Sequence, residues 1–125
     1  MNIGRNSRFV AIVDDDESVQ RALQDLIESD GLSAFCFSSA EQFLDSQARS
    51  QAACLIADIR MPGMSGLELQ AKLKAERCRI PVIFITAHGD AEMRIHAMRQ
   101  GAVEFLSKPF DDAVLLEIVH AALEE

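Results

Sequence analysis

Carboxylate side chains follow two apolar runs of this sequence at the point where each run ends. Asp14, Asp15 and Asp16 come directly after residues 9–13, and Asp58 comes directly after residues 53–57. Such runs are typical of buried strands, and carboxylates placed side by side at a strand end repel one another and lose hydration. A hard divalent cation offsets both costs, because Mg²⁺ binds carboxylate oxygens and substrate phosphates while keeping several water molecules. The aspartates therefore indicate a metal-assisted site.

A hydroxyl group and an ammonium group stand at the ends of two further apolar runs. Thr86 follows residues 82–85, and Lys108 comes shortly after residues 103–106. Both are natural hydrogen-bond donors to phosphoryl oxygens. Since carboxylates can form acyl phosphates and a bound metal neutralises a phosphoryl group during transfer, Asp58 is the candidate nucleophile of a phosphoryl-transfer site.

Five short apolar runs alternate with five segments of helical period. The predicted strands are residues 9–13, 32–37, 53–57, 82–85 and 103–106. Five successive strand–helix units predict an α/β fold, namely a flavodoxin-like (βα)5 doubly wound parallel sheet in a single domain with strand order 2-1-3-4-5. In that order the first, third, fourth and fifth strands are contiguous, so the polar groups at their carboxyl ends converge on one cleft.

Capping residues indicate where the helices begin. Candidate starts are Asp16, Ser39, Ser65, Asp90, and Asp111 or Asp112. Gln42 and Glu68 follow the two serines at the spacing of a capping box. Asp16 is therefore expected to cap the first helix rather than join the metal site.

The fourth helix is more apolar than one buried face requires. Ala91, Ile95 and Met98 form one stripe, and Met93 and Ala97 form a second. Two interpretations remain open, since the helix could simply pack broadly or could present one stripe to a partner.

Bulk properties exclude several classes of function. A formal net charge of −8 on 125 residues argues against direct nucleic-acid binding, which draws on a basic patch. No apolar run approaches the ~20 residues of a membrane span, and the N-terminus has no signal-peptide stretch. Cys36, Cys54 and Cys78 lack metal-ligand spacing, so we expect free thiols, buried at Cys36 and Cys54, in a reducing cytoplasm.

Four stretches resemble the motifs of the receiver domain of bacterial two-component response regulators, within the CheY-like superfamily. They are IVDDDES, LIADIRMPGMSGLEL, VIFITAHGD and GAVEFLSKPF, in that order. The resemblance extends over about residues 8 to 123 and is closest in wording to FixJ-type regulators. Four motifs in register are a far more specific signal than any one alone.

The resemblance implies roles for the acidic residues. Asp58 matches the phospho-acceptor, which takes a phosphoryl group from a histidine of a sensor histidine kinase. Asp15 and Asp58 would ligate Mg²⁺ directly, Asp14 through water, and Arg60 through its backbone carbonyl. Mn²⁺ or Ca²⁺ can substitute, and no organic cofactor is expected.

The resemblance also implies a conformational switch. Thr86 matches a hydroxyl that moves toward the phosphoryl group, and Lys108 matches a lysine that pairs with phosphoryl oxygens. The bond between Lys108 and Pro109 is expected to be cis. Phe105 occupies the position of a switch aromatic that is often tyrosine, and a sequence without tyrosine excludes any mechanism that needs a phenolic hydroxyl.

These roles imply a phosphorylation switch in the cytoplasm rather than an enzyme. It would control a partner or a transcriptional output domain, with a phosphorylation-dependent homodimer through the fourth helix and fifth strand. We expect a flexible segment at residues 1–8, a receiver domain at 9–125, no output domain in this chain and no membrane contact.

Two other functions are compatible with this class of fold. An aspartyl-phosphate-forming phosphatase needs a general acid two residues after its nucleophile, where this sequence has Arg60, so only slow self-hydrolysis is expected. A flavodoxin-like FMN carrier needs a phosphate loop after the first strand, where this sequence has three anions, and it lacks the Trp and Tyr that would stack on a flavin.

Overall fold

The five predicted strands form one parallel sheet in a computed structural model that describes residues 9–87 and 89–124. The strands are β1 (Phe9–Val13), β2 (Ala34–Phe37), β3 (Ala52–Ala57), β4 (Val82–Thr86) and β5 (Glu104–Ser107). Their order is β2-β1-β3-β4-β5, with parallel pairing throughout. The predicted fold class is confirmed, although β2 begins two residues later than expected. The segment 1–8 lies outside the described residues.

Four helices connect the strands, and a fifth follows β5. They are α1 (Glu17–Ser29), α2 (Ala40–Asp45), α3 (Gly66–Ala75), α4 (Ala91–Arg99) and α5 (Asp112–Leu123), with one further helical turn, Ala48–Gln51, before β3. In the described part of the chain, none of these helices is long and apolar enough to cross a membrane.

The helices begin where the capping residues predicted. The side chains of Asp16, Ser39, Ser65, Asp90 and Asp111 each accept a backbone N–H of the helix that follows. Ser65 and Glu68 form the complete capping box. The capping box predicted for Ser39 and Gln42 is wrong in one hydrogen bond. A capping box requires the Gln42 side chain to accept the N–H of Ser39, but the Gln42 amide oxygen accepts the N–H of Ser38.

Two apolar layers cover the two faces of the sheet. Alternate residues of β1 divide between them, Val10 and Ile12 on the face of α1 and α5, and Ala11 and Val13 on the face of α2 to α4. β1 and β4 are buried at every position. Strands covered on both faces read as continuous apolar runs, which is why the pattern identified them.

The two apolar stripes of α4 face different environments. Ala97 is fully buried and Met93 packs against the core, whereas Ile95 is 51% exposed and Met98 is 36% exposed. The Arg94 guanidinium donates to the carbonyl of Phe105 at 2.9 Å, which ties α4 to β5. The excess apolar stripe noted in the sequence is therefore a surface feature.

The three cysteines are free thiols in three environments. Cys54 lies fully buried in β3, and burial raises the pKa of its thiol to about 12. Cys36 and Cys78 are only half-buried. The predicted burial is therefore right for Cys54 and wrong for Cys36, because β2 is an edge strand with one neighbour.

We predict that Cys54 resists alkylation at pH 8 while the protein is folded, because less than about one thiol in a thousand is ionised four units below its pKa. Mass spectrometry of a Cys36→Ala/Cys78→Ala variant, treated with iodoacetamide with and without guanidinium, measures this directly. The expected result is modification only on unfolding. The control is a Cys36→Ala/Cys54→Ala variant, in which Cys78 is the remaining cysteine. Alkylation of Cys54 in the folded protein as fast as that of Cys78 in the control would contradict the prediction.

Candidate functional site

Backbone hydrogen bonds between strands fix the candidate residues at one edge of the sheet. The N–H of Asp14 donates to a β2 carbonyl at 3.1 Å, and the N–H of Asp58 donates to a β1 carbonyl at 3.0 Å. The N–H of Lys108 donates to the carbonyl of Thr86 at 2.9 Å. Each residue therefore continues a strand pairing by one position before its chain turns away, so these residues are positioned by the rigid sheet.

Three carboxylates meet at this edge. Each of Asp14, Asp15 and Asp58 places an oxygen within 4.8 Å of the others. Asp14 is 3% exposed and the Asp58 side chain 11% exposed, whereas Asp15 is open to solvent. Carboxylate oxygens at this spacing fit a hard divalent cation such as Mg²⁺, with Asp15 on the solvent-exposed side of the cluster.

The Asp16 side chain does not belong to the cluster of three carboxylates. Its carboxylate accepts the backbone N–H and the hydroxyl of Ser18 at 2.9 Å and 2.6 Å, and these bonds lower the pKa of Asp16. Its own N–H donates to Asp14 Oδ1 at 2.9 Å. The backbone of Asp16 thus orients Asp14, while its side chain caps α1 as predicted.

Lys108 joins the two buried carboxylates. Its Nζ lies 3.3 Å from Asp14 Oδ2 and 3.2 Å from Asp58 Oδ2, and its peptide bond to Pro109 is cis. Burial alone would lower the pKa of Lys108, but the charges of Asp14 and Asp58 outweigh it and raise that pKa. Burial raises the pKa of Asp14, and the N–H of Asp16 and the charge of Lys108 counter only part of this effect.

The start of the loop after β3 holds Asp58 in place. Asp58 Oδ1 accepts the N–H of Ile59 at 2.6 Å, while the N–H of Arg60 is more distant at 3.4 Å. Arg60 is exposed, and its backbone N–H is its recorded contact with the acidic cluster. Behind the loop, a Cβ on Gly66 would overlap the Asp58 carbonyl oxygen, so glycine allows α3 to begin directly against the backbone of Asp58.

Glu41 is a supporting residue that the sequence did not reveal. Its carboxylate accepts the N–H of Met64 at 2.9 Å and lies beside Gly63, whose φ is +77°. Glu41 thus braces the loop after Asp58 from α2. Its partner lies 23 residues away in the chain, so neither local spacing nor composition could have identified it.

Thr86 and Phe105 occupy the neighbouring strands β4 and β5. Thr86 is 1% exposed and Phe105 is 5% exposed, and the ring centroids of Phe84 and Phe105 lie 6.4 Å apart. The aromatic ring therefore points into the layer beneath α4. The acidic residues, Thr86 and Lys108 lie at the carboxyl edge of β1, β3, β4 and β5, which is the edge predicted, whereas Phe105 lies within β5.

Comparison with known proteins identifies the class of domain to which this doubly wound sheet, with three acids and one lysine at its carboxyl edge, belongs. The model of the response regulator receiver domain family matches residues 10–120. The response regulator protein TodT of Pseudomonas putida is 50% identical over 115 residues, which cover 92% of this chain and 51% of TodT. The transcriptional regulatory protein FixJ of Azorhizobium caulinodans is 44% identical over 114 residues, 91% of this chain and 54% of FixJ.

The crystal structure of FixJ-N has a TM-score of 0.85 at 41% identity, and the match covers 94% of both chains. The chain therefore belongs to the response regulator receiver domain family. It spans about half the length of the curated relatives it matches.

We predict that Lys108→Met lowers the free energy of unfolding by about 1 to 3 kcal/mol, because two largely buried carboxylates lose their shared counter-charge. Urea denaturation in EDTA, followed by circular dichroism, measures the change. Adding Asp14→Asn should recover part of the loss, since the amide still accepts the Asp16 N–H but carries no charge.

The matched control is Lys72→Met. The Lys72 side chain is 52% exposed and pairs with Glu76. Exposed pairs contribute about 0 to 1 kcal/mol. Equal stabilities of the two lysine variants would show that Lys108 does not hold the cluster together.

Proposed function

We propose that this chain is a phosphorylation switch in which Asp58 accepts a phosphoryl group from a histidine of a sensor histidine kinase. The observation that carries the proposal is the convergence of Asp14, Asp15 and Lys108 on the Asp58 carboxylate. Membership of the receiver family supports it, and so do the names of TodT and FixJ as response regulators or transcriptional regulators.

The Asp58 carboxylate acts as nucleophile. One of its oxygens forms the new bond to phosphorus, while the bond from phosphorus to the kinase imidazole nitrogen breaks and leaves its electron pair on that nitrogen. The largely buried side chain and its Lys108 contact fix the attacking oxygen in one orientation.

Mg²⁺ would be held by Asp15 and Asp58 directly, by Asp14 through water and by the Arg60 carbonyl. When bound, it neutralises charge on the phosphoryl oxygens. Asp14 contributes a buried negative charge whose raised pKa reflects an unfavourable environment, so a second positive charge in the cleft stabilises it.

Lys108 and Thr86 respond to the phosphoryl group. Lys108 exchanges its contact with Asp58 Oδ2 for a phosphoryl oxygen, a charge-assisted bond that keeps the ammonium paired. Thr86 turns its hydroxyl toward the same group, and Phe105 rearranges with it. These new hydrogen bonds to the phosphoryl group bias a two-state equilibrium of the β4–α4–β5 region.

The domain is proposed to store the phosphoryl group rather than turn it over. An aspartyl-phosphate-forming phosphatase needs a general acid two residues after its nucleophile, and position 60 carries an exposed arginine instead. Slow self-hydrolysis through water is the expected fate of the adduct. We further propose that the switch operates in the cytoplasm and controls transcription through a partner or an output domain.

We predict a single phosphoryl adduct when the protein is incubated with acetyl phosphate and Mg²⁺, measured as intact mass. The adduct should be acid-stable and base-labile, as acyl phosphates are, and EDTA should prevent it. Asp58→Asn should abolish it, because an amide is not a nucleophile at neutral pH.

Two neighbouring aspartates provide matched controls for this experiment. Asp15→Asn should slow adduct formation about 10-fold or more through loss of a metal ligand, whereas Asp16→Asn should leave the rate within about twofold of the parent, because its side chain caps α1. An adduct that persists in Asp58→Asn would overturn the assignment of the nucleophile.

We also propose that phosphorylation promotes a homodimer through α4 and β5. Ile95 and Met98 on α4 are large apolar residues that are 51% and 36% exposed. In a two-fold symmetric dimer, the same apolar surface of each copy packs against that of the other. The proposed partner is therefore a second copy of the chain. Arg94 couples the face to the switch because it holds the Phe105 carbonyl.

We predict that beryllofluoride, a phosphoryl mimic, shifts the protein toward dimer in analytical ultracentrifugation, and that Ile95→Asp weakens the dimer at least about 10-fold through burial of an unpaired charge. The control is Val114→Asp on α5, where a residue 41% exposed receives the same charge away from the face. Identical sedimentation with and without the mimic at high protein concentration would exclude the dimer.

A further inference from the structure

A cleft opens at the amino-terminal edge of β4 and β5, at the opposite end of the sheet from Asp58. It has a volume of about 740 Å³ and lies between the last turns of α3 and α4 and the segment that leads into β4. Volumes of about 300 to 1,000 Å³ are typical of small-molecule sites. The cleft is therefore large enough for a ligand of nucleotide size, and it is separate from the site described above.

Positive charge is concentrated at this cleft. Lys74, Arg77 and Arg79 line it, and no carboxylate lies among the described residues that do so. None of the three forms an ion pair within the described part of the chain. On a chain with a formal net charge of −8, a cleft with three cations and no anion favours an anionic ligand.

Arg77 adopts a backbone conformation that favours glycine. Its φ is +60°, and within the described part of the chain it is the one residue other than glycine with a positive φ. It ends α3 in the same way that Gly31 ends α1 and Gly101 ends α4, because the same two backbone hydrogen bonds close all three helices. Glycine is usual at this position since it has no Cβ. The arginine therefore costs stability, which indicates a role for its side chain.

Arg77 and Lys74 suit phosphate oxygens. A guanidinium group presents paired N–H donors that match a phosphate group, and an ammonium adds a compact positive charge. The Lys74 Nζ donates to the neutral amide of Gln100 at 3.0 Å, which leaves its charge uncompensated. Lys74 and Arg77 are three residues apart at the end of α3, a spacing that makes helical neighbours, so both can reach one pair of linked phosphates.

The rest of the cleft is mainly apolar, with one buried amide. Leu73, Pro81 and Val103 line it, and Val103 is 38% exposed. Gln70 also lines it and is 5% exposed; its Nε2 donates to the Ala97 carbonyl at 3.1 Å, whereas its covered Oε1 has no hydrogen-bond partner in the described part of the chain. A buried acceptor without a partner is unfavourable. Because the last torsion of glutamine is soft, a turn of the amide would bring Oε1 to a ligand hydroxyl or amino group.

We propose that this cleft binds an organic diphosphate of the size of a nucleoside diphosphate. Its phosphates contact Arg77 and Lys74, and its ring lies against the apolar wall at Pro81 and Val103. The inference goes beyond the proposed phosphorylation switch and does not depend on it, since the two sites lie at opposite edges of the sheet.

The experiment is titration with ADP in EDTA, which keeps divalent metal away from the acidic cluster. We expect one ADP to bind per chain in isothermal titration calorimetry, pyrophosphate to bind more weakly, and adenosine more weakly still. In nitrogen-15 NMR spectra, the shifts should concentrate at the Gly101 amide and the Gln70 side-chain amide, which is assigned by its loss in Gln70→Leu.

Two lysines of α3 provide a matched pair of variants. Lys74→Ala should weaken ADP binding about 10-fold or more through loss of a charge-assisted hydrogen bond. Lys72→Ala removes the same charge from a side chain that does not line the cleft, so its affinity should stay within about twofold of the parent.

Arg77→Gly separates ligand binding from stability. Glycine relieves the positive φ, so the melting temperature without ligand should rise. ADP binding should nevertheless weaken about 10-fold or more, because the guanidinium is lost. An arginine that served the fold alone would give the opposite change in melting temperature, and that result would overturn the inference.

Three further results would overturn it. One is the absence of both heat and chemical-shift change at millimolar ADP. Another is equal weakening by Lys72→Ala and Lys74→Ala, which would show that overall charge and not the cleft attracts the anion. The third is a set of shifts centred on Asp14 and Asp58, which would place the nucleotide at the opposite edge of the sheet.

Discussion

The contact of one ammonium group with two largely buried carboxylates is the interaction on which the site depends. Asp14 and Asp58 are brought together by adjacent strands, so their proximity follows from the sheet and not from mutual attraction. Lys108, 94 residues from Asp14 in the chain, supplies the compensating charge from the end of β5. The cleft has three carboxylates for one ammonium, and this excess of negative charge favours a divalent cation.

Two glycines allow the close packing that this arrangement needs. Gly66 lets α3 start against the backbone of Asp58, and Gly89 lets the loop after β4 lie on Phe105 and Thr86. In both places a side chain would occupy space already filled by a group of the site. The flexibility commonly ascribed to loop glycines is not their role here, because neither has a φ in the left-handed region.

The sequence predicted the sheet, its strand order and the residues at its carboxyl edge, because each of these leaves a local pattern. Continuous apolar runs indicated strands buried on both faces, and Asp16 and Ser65 marked helix starts through spacing alone. Glu41 was missed because its partner is distant in sequence, and Gly89 was missed because its contact with the Phe105 ring is set by packing. The burial of Cys36 was overestimated for a related reason, since an apolar run does not reveal that its strand lies at an edge.

The placement of Phe105 and Lys108 on one short segment explains how chemistry at Asp58 could reach the surface of α4. Lys108 contacts Asp58 directly, and three residues earlier the carbonyl of Phe105 is bound by Arg94 of α4. Under the proposed function, a displacement of Lys108 toward a phosphoryl oxygen would act on the end of β5, the strand that anchors α4. Because the Phe105 ring fills the space beside Gly89, a movement of this segment must displace either the ring or the loop after β4.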